Sequence, residues 1–230
     1  MIADYCKELK CLKLTGLTKA VDDTGLSYLN HTAVEDLDIS LCTNITDAGI
    51  NNLTEQSKYI RLNITGLIYL TNNSLKTLIS NNCRTLTDLT IALMPQKDVN
   101  NELTQFIAKC KNLVNINLEG CINFTNDGIY SIITSGLTKL ETINFSGIQT
   151  VDDNLATSCM SLNKELKTLR LSNCPLLTNY VLDHIINSST NLLVLEINRT
   201  PLIKDEKIEE ALKAKSPNLR IIRSTNLGST

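Results

Sequence analysis

A three-position pattern, apolar-x-x-apolar-x-apolar, recurs along the 230-residue chain and leaves few folds open. Its first column reads Leu9, Val34, Tyr59, Leu86, Leu113, Leu140, Leu166, Leu192 and Leu219, at intervals of 25 to 27 residues. The second column reads Leu12, Leu37, Leu62, Leu89, Ile116, Ile143, Leu169, Leu195 and Ile222. The third reads Leu14, Ile39, Ile64, Ile91, Leu118, Phe145, Leu171 and Ile197, and breaks at Ser224. The second and third columns are two residues apart, so both point to one side of a short strand. Further on, apolar residues recur at helical spacing, as in Leu75/Leu78/Ile79, Ile129/Ile132/Ile133 and Leu182/Ile185/Ile186. Between strand and helix stands a Thr or Asp (Asp22, Thr46, Thr71, Thr125, Asp152, Thr178) whose side-chain oxygen can accept from an unpaired amide of the helix's first turn. One strand and one helix cannot bury an apolar side alone, so neighbouring units must stack. Parallel strands sit about 4.8 Å apart and helices about 8 to 10 Å, so the strand side is concave. The expectation is an α/β solenoid over residues 1–230: one domain of eight units and a terminal strand, with 226–230 a frayed tail.

Composition narrows what such a solenoid does. With 37 Leu, 24 Ile, no Trp and 3 Phe, branched aliphatics build the core. The 22 basic and 24 acidic residues give a formal net charge of -2, which provides no field to hold a polyanion; nucleic acid and anionic membranes are not expected partners. His31 and His184 lie far apart with no metal-ligand spacing around either, so no metal, cofactor or catalytic constellation is expected. The first residues carry charge where a signal peptide needs an apolar stretch, and no apolar run approaches a membrane span; the expected location is intracellular, in the cytoplasm, with nuclear, cytoskeletal or ciliary settings open.

The unit Cys42-Thr43-Asn44-Ile45-Thr46-Asp47-Ala48-Gly49-Ile50, echoed by Cys121-Ile122-Asn123-Phe124-Thr125-Asn126-Asp127-Gly128-Ile129, resembles the cysteine-containing subfamily of leucine-rich repeats. That resemblance covers essentially the whole chain. It implies a leucine-rich-repeat horseshoe and a non-enzymatic protein-interaction module. Such repeats occur in F-box leucine-rich-repeat proteins of SCF-type ubiquitin ligases, in proteins similar to the antagonist of the mitotic exit network, and in ciliary and other scaffolds. A substrate- or partner-recognition adaptor is therefore the first expectation, and an architectural subunit of a large assembly the alternative. Of the eight cysteines, Cys42, Cys121 and Cys174 share one column, and Cys6, Cys83 and Cys110 another, so these six read as small buried repeat residues rather than disulfide or metal ligands. Cys11 is expected to be the most accessible thiol. Sequons such as those at Asn30, Asn44, Asn63 and Asn198 follow from an Asn- and Thr-rich composition.

Side chains flanking the second column point out of the concave face. The candidate protein-binding residues are Asp36, Asp38, Arg61, Asp88, Thr90, Asn115, Asn117, Thr142, Asn144, Arg170, Glu196 and Arg223. Arg61 is flanked by Asp36 and Asp88, Lys13 stands beside Asp38, and Glu196 stands between Arg170 and Arg223. One reading is a surface ladder that satisfies itself, each pair contributing about 0 to 1 kcal/mol. The other takes Thr90, Asn115, Asn117, Thr142 and Asn144 as a neutral hydrogen-bonding floor onto which a partner docks, its register set by the charged ends. Asp36 and Asp38 lack a third oxygen ligand and read as strand carboxylates rather than a cation site.

Two departures remain. Around Ile91–Asp98 the connection is longer and holds Pro95, which reads as loop variation and would put Leu93 and Met94 at the surface. At the amino-terminal end the outer edge of the first strand is expected to be covered, by preceding sequence or by a partner subunit.

Overall fold

A computed structural model describes residues 6–53, 58–188, 191–204, 210, 212 and 214–224, the side chains of residues 30 and 31 excepted. Nine three-residue strands form one parallel sheet in chain order: β1 Cys11–Lys13, β2 Asp36–Asp38, β3 Arg61–Asn63, β4 Asp88–Thr90, β5 Asn115–Asn117, β6 Thr142–Asn144, β7 Thr168–Arg170, β8 Val194–Glu196 and β9 Arg220–Ile222. Among the described residues, helices with full bounds follow the first to seventh strands: α1 Asp23–Ser27, α2 Asp47–Asn52, α3 Asn72–Asn82, α4 Thr104–Ile107, α5 Asn126–Ile133, α6 Asp153–Leu162 and α7 Tyr180–Asn187. Each packs on the next, as the stacking of incomplete units requires. The fold is a leucine-rich-repeat solenoid. Residues 226–230 and the residues before Cys6, on which the tail and end-cover expectations partly fall, lie outside the described residues.

The strand register matches second column to second column from Leu12↔Leu37 through Leu169↔Leu195. From β2 to β8 these side chains and those of the third column are buried, whereas Leu12 and Leu14, at the edge of the sheet, are half-buried. The last strand departs from the pattern. Leu195 pairs with Ile221, and Glu196 with Ile222, one residue earlier than the periodicity sets. Register in a half-buried strand is held by the apolar set on its inner face. Here two adjacent isoleucines can fill that column, Ser224 removes the third anchor, and β9 has a neighbour on one side alone. A one-residue slip therefore costs little.

The turn from strand to helix is also repeated. Its residue with positive φ is Gly16, Leu41, Gly66, Leu93, Gly120, Gly147, Asn173 or Arg199. Leucine in the left-handed region costs about 1–2 kcal/mol, and its side chain compensates by lying over a glycine of the next unit. A Cβ on Gly66 would come within 2.7 Å of Leu41 Cδ2, and one on Gly120 within 3.0 Å of Leu93 Cδ2. Leu93 is half-exposed, as expected of its loop, but Met94 is fully buried because it occupies the inward column of Cys42, Cys121 and Cys174.

A second ladder joins the helix starts. The residue that opens the helical segment of one unit, at Asn101 a 3-10 turn (Asn101–Leu103) leading into α4, accepts with its side chain from the backbone N–H of the capping residue one unit on. Asp23 accepts from Thr46 at 2.8 Å, Asp47 from Thr71 at 2.8 Å, Asn101 from Thr125 at 2.9 Å and Asp153 from Thr178 at 2.8 Å. Thr46, Thr71 and Thr178 also donate their hydroxyls to the same carboxylates and accept from an amide of their own helix. This explains Thr46-Asp47-Ala48-Gly49 and Thr125-Asn126-Asp127-Gly128: a Cβ on Gly49 or Gly128 would sit 2.2 or 2.1 Å from the Asp23 or Asn101 side-chain oxygen. Asp22 and Asp152 cap their helices as expected, and Asn100 fills the same role where the periodicity named none.

Candidate functional site

The strand face brings the predicted residues into three parallel rows, two of them read from the sequence. Asp36, Arg61, Asp88, Asn115 and Thr142 stand opposite one another in register, as do Asp38, Asn63, Thr90, Asn117, Asn144, Arg170 and Glu196. The third row, missed by the periodicity, begins two residues past the second: Ser40, Thr65, Ala92, Glu119, Ser146, Ser172 and Asn198. Its signal is a run of small hydroxyl residues at one phase of the repeat.

In the amino-terminal half, each carboxylate is taken up by its neighbours. Asp36 pairs with Arg61 at 2.8 Å and accepts from the Cys11 thiol at 3.3 Å. The Arg61 hydrogen bond, opposed by burial, holds the Asp36 carboxyl below its ordinary pKa, and Asp36 in turn raises that of Cys11. Asp38 accepts from the backbone and hydroxyl of Ser40 at 2.9 and 2.5 Å and from Asn63 at 3.0 Å. Burial works against that carboxylate, but these donors outweigh it and its pKa is lowered. Asp88 accepts from Thr87 at 2.6 Å and from Asn115 at 2.6 Å. Arg61 thus bonds Asp36 and not Asp88 across the sheet, and no ion pair joins Lys13 to Asp38 among the described residues. Lys13, Asp36, Asp38, Arg61, Asn63, Asp88 and Thr90 frame a shallow hollow of about 190 Å³.

The carboxy-terminal half opens into a larger groove, about 680 Å³, whose walls include Asn117, Glu119, Asn144, Arg170, Glu196 and Arg199. The asparagines are not a free floor. Asn117 accepts from the Glu119 N–H at 2.9 Å and Asn144 from the Ser146 N–H at 3.0 Å, turns in which the side chain replaces a strand partner. Asn144 also donates to Glu119 at 3.0 Å and is only 4% exposed, so it belongs to the packed base of the groove. Thr90 and Thr142 line the face, half-buried. Ser146 and Ser172 hydroxyls each accept, at 3.1 Å, from a backbone N–H of the following unit, at Ser172 and Asn198. Glu196 is held by Arg170 Nε at 3.2 Å, Asn198 at 3.1 Å and Ser172 at 3.3 Å. Arg223 does not flank it. The register slip places Ile222 opposite Glu196, and the Arg223 guanidinium donates to the Ile203 carbonyl.

The thiols sort by column. Cys42 and Cys121 donate to the carbonyls of Leu14 and Ile91 one unit back, at 2.9 and 2.8 Å. Burial pushes Cys110, Cys121, Cys159 and Cys174 up to about 12. All eight cysteines are free; Cys11 is exposed, as expected, but so is Cys6, and Cys83, at the carboxy-terminal end of α3, is half-buried. Among the described residues no group of three or more His, Cys, Asp or Glu side chains could hold a metal ion, and no helix is long and apolar enough to cross a membrane.

No family model matches the chain. It is 23% identical over 256 aligned residues to the DNA repair protein rhp7 of Schizosaccharomyces pombe, an alignment covering 96% of this chain and 45% of the relative. The chain thus spans about half the length of that curated relative. Among solved structures it is similar to the yeast Rad7 and Elc1 complex (TM-score 0.56, 16% identity, 89% of this chain and 45% of that one). It is also similar to the leucine-rich-repeat protein LegL7 from Legionella pneumophila (TM-score 0.61, 13% identity, 96% and 76%). At these identities the likeness carries the solenoid fold.

Proposed function

We propose that the chain is a non-enzymatic protein-recognition module that receives its partner on the strand face. The observation that carries this reading is the groove of about 680 Å³ crossing β5 to β9, walled by polar and charged side chains of successive strands. A concave sheet presents such side chains at a fixed spacing, which suits an extended partner segment better than a small substrate. In its finer form the module is a substrate- or partner-recognition adaptor, similar to the repeat part of F-box leucine-rich-repeat proteins of SCF-type ubiquitin ligases. The likeness to Rad7, solved together with Elc1, supports an adaptor that works within a protein complex.

A second reading, an architectural subunit of a large assembly, is favoured by one observation. Leu17, Leu41, Ile68, Tyr69, Leu93, Ile122, Leu176 and Leu202, each at least 42% exposed, line the turns along one rim of the solenoid.

Site-specific photo-crosslinking in cells separates these. A photoreactive residue at Thr90 or Asn117 should capture one discrete protein whose level rises when the chain is depleted, whereas one at Tyr130 or Tyr180 on the helices should not. Crosslinks confined to the rim, with recovery in fixed stoichiometry with several proteins, would select the subunit. Crosslinks from the helices alone would overturn the strand-face reading.

A further inference from the structure

Within the groove, hydrogen-bonding capacity is used unevenly. Glu196 Oε1 accepts from Asn198 and Ser172, and its Oε2 lies 3.2 Å from Arg170 Nε in an ion pair. Glu119 Oε2 is occupied by Asn144. Beyond its ion pair with Glu196, the guanidinium of Arg170 donates no hydrogen bond among the described residues. Arg199 makes no hydrogen bond or ion pair among them at all, and Asn117 donates its amide N–H to nothing. Beside the second oxygen of Glu119, what the groove has left to offer is therefore mainly donors, and two of those groups are permanently charged.

The geometry also prepares them. The ion pair with Glu196 holds Arg170 in the groove while its guanidinium donors stay unspent, and a planar guanidinium with free donors suits bidentate capture of a carboxylate. Arg199 stands in the left-handed region at φ 54°, where the same turn in other units uses glycine four times. That backbone state is unfavourable for a side chain of this size. Arg170 lies on β7 opposite Glu196 of β8, and Arg199 stands in the turn three residues beyond Glu196, so both line the same groove.

We propose that this half of the strand face receives an extended acidic polypeptide segment, with carboxylates a few residues apart taken by Arg170 and Arg199 and a backbone carbonyl by Asn117. The inference rests on the strand face being the docking face, as proposed above, and adds the chemistry of what docks. The two glutamates bring the formal charge of the groove to zero, which opposes a polyanion such as nucleic acid while leaving local donors for single carboxylates.

The test uses the full chain and a short fluorescein-labelled peptide of alternating glutamate and serine, read by anisotropy, beside the same peptide with glutamine for glutamate. The glutamate peptide is expected to bind, and to weaken as salt rises. Arg199→Gln, which breaks no internal bond, should weaken it several-fold, and Arg170→Gln with Arg199→Gln about tenfold or more. Arg61→Gln, on the other half, should leave it unchanged. Circular dichroism checks that each variant is folded. No binding of the glutamate peptide, equal binding of the glutamine peptide, or indifference to Arg199→Gln would each overturn the proposal. Crosslinking from Asn117 would persist in those cases if the strand face is still the docking face, so the two readings fail separately.

Discussion

The two halves of the strand face are built on one backbone ladder yet end in different chemical states. From β2 to β4 the excess charge is negative, and it is consumed: Asp36 by Arg61 and Cys11, Asp38 by Ser40 and Asn63, Asp88 by Thr87 and Asn115. From β5 to β8 Glu196 is again consumed and Glu119 in part, but the arginines donate no hydrogen bond among the described residues. The lesson is one of valence. Small Ser, Thr and Asn donors from adjacent strands are enough to satisfy a carboxylate, whereas a guanidinium has five donors in a rigid fork and a single neighbour uses one edge. A repeat surface of mixed charge is therefore self-satisfied where it is acidic and open where it carries arginine.

The sharpest way to break that contrast is at the base of the groove. Asn144→Lys should destabilise the protein by about 2–4 kcal/mol, because it places an unpaired charge at a buried site and removes the acceptor of the Ser146 N–H. Thr90→Lys, at the equivalent half-buried position of the other half, should stay within about 0.5 kcal/mol. Urea denaturation of the two variants measures the difference, and equal effects would mean the asparagine row is a surface after all.

Acid should act on one half first. The carboxyls held below their ordinary pKa are Asp36, Asp38 and Asp47, all in the first three units. For Asp47, burial works against the carboxylate and the bonds from Ser74 and Thr71 outweigh it. A group with a depressed folded pKa contributes stability above its unfolded value, near 3.8, and loses it as pH falls through the folded value. Hydrogen exchange should therefore show amides of β2, β3 and α2 losing protection below about pH 4 before those of β6 and β7. Simultaneous loss along the whole solenoid would contradict this.

Smaller effects sharpen the picture. Arg61→Gln should leave the urea midpoint almost unchanged, since that side chain is 57% exposed and its pair with Asp36 is screened by water. Among the thiols, Cys6 and Cys11 should alkylate in the native protein, while Cys121, Cys159 and Cys174 should wait for unfolding. Asp36→Asn should speed labelling of Cys11 a few-fold relative to Cys6, because Asp36 is what raises the Cys11 pKa. An unchanged ratio would show that the Cys11–Asp36 bond does not persist in solution.

How far the sequence reached can be followed residue by residue. The columns through Leu37, Leu62, Leu89 and Ile116 fixed a parallel sheet and its register, and Thr46, Thr71 and Asp152 marked where helices begin, because burial and capping are local requirements repeated in every unit. The candidate rows on β2 to β8 were legible for the same reason, since side-chain direction in a strand follows from period two alone. Arg223 was misplaced because one isoleucine is as apolar as the next, and only the pairing of Glu196 with Ile222 decides which faces inward. Asn144 was read as exposed because orientation does not give burial; depth depends on Glu119 and Ser146 bonding it from the turns that follow β5 and β6. Which arginine edges stay unused is likewise a property of distances between strands. The sequence by itself thus determined the repeating frame, written in short-range periodicity, while the allocation of hydrogen-bonding partners across units rested on contacts some 25 residues apart and was decided by the tertiary structure.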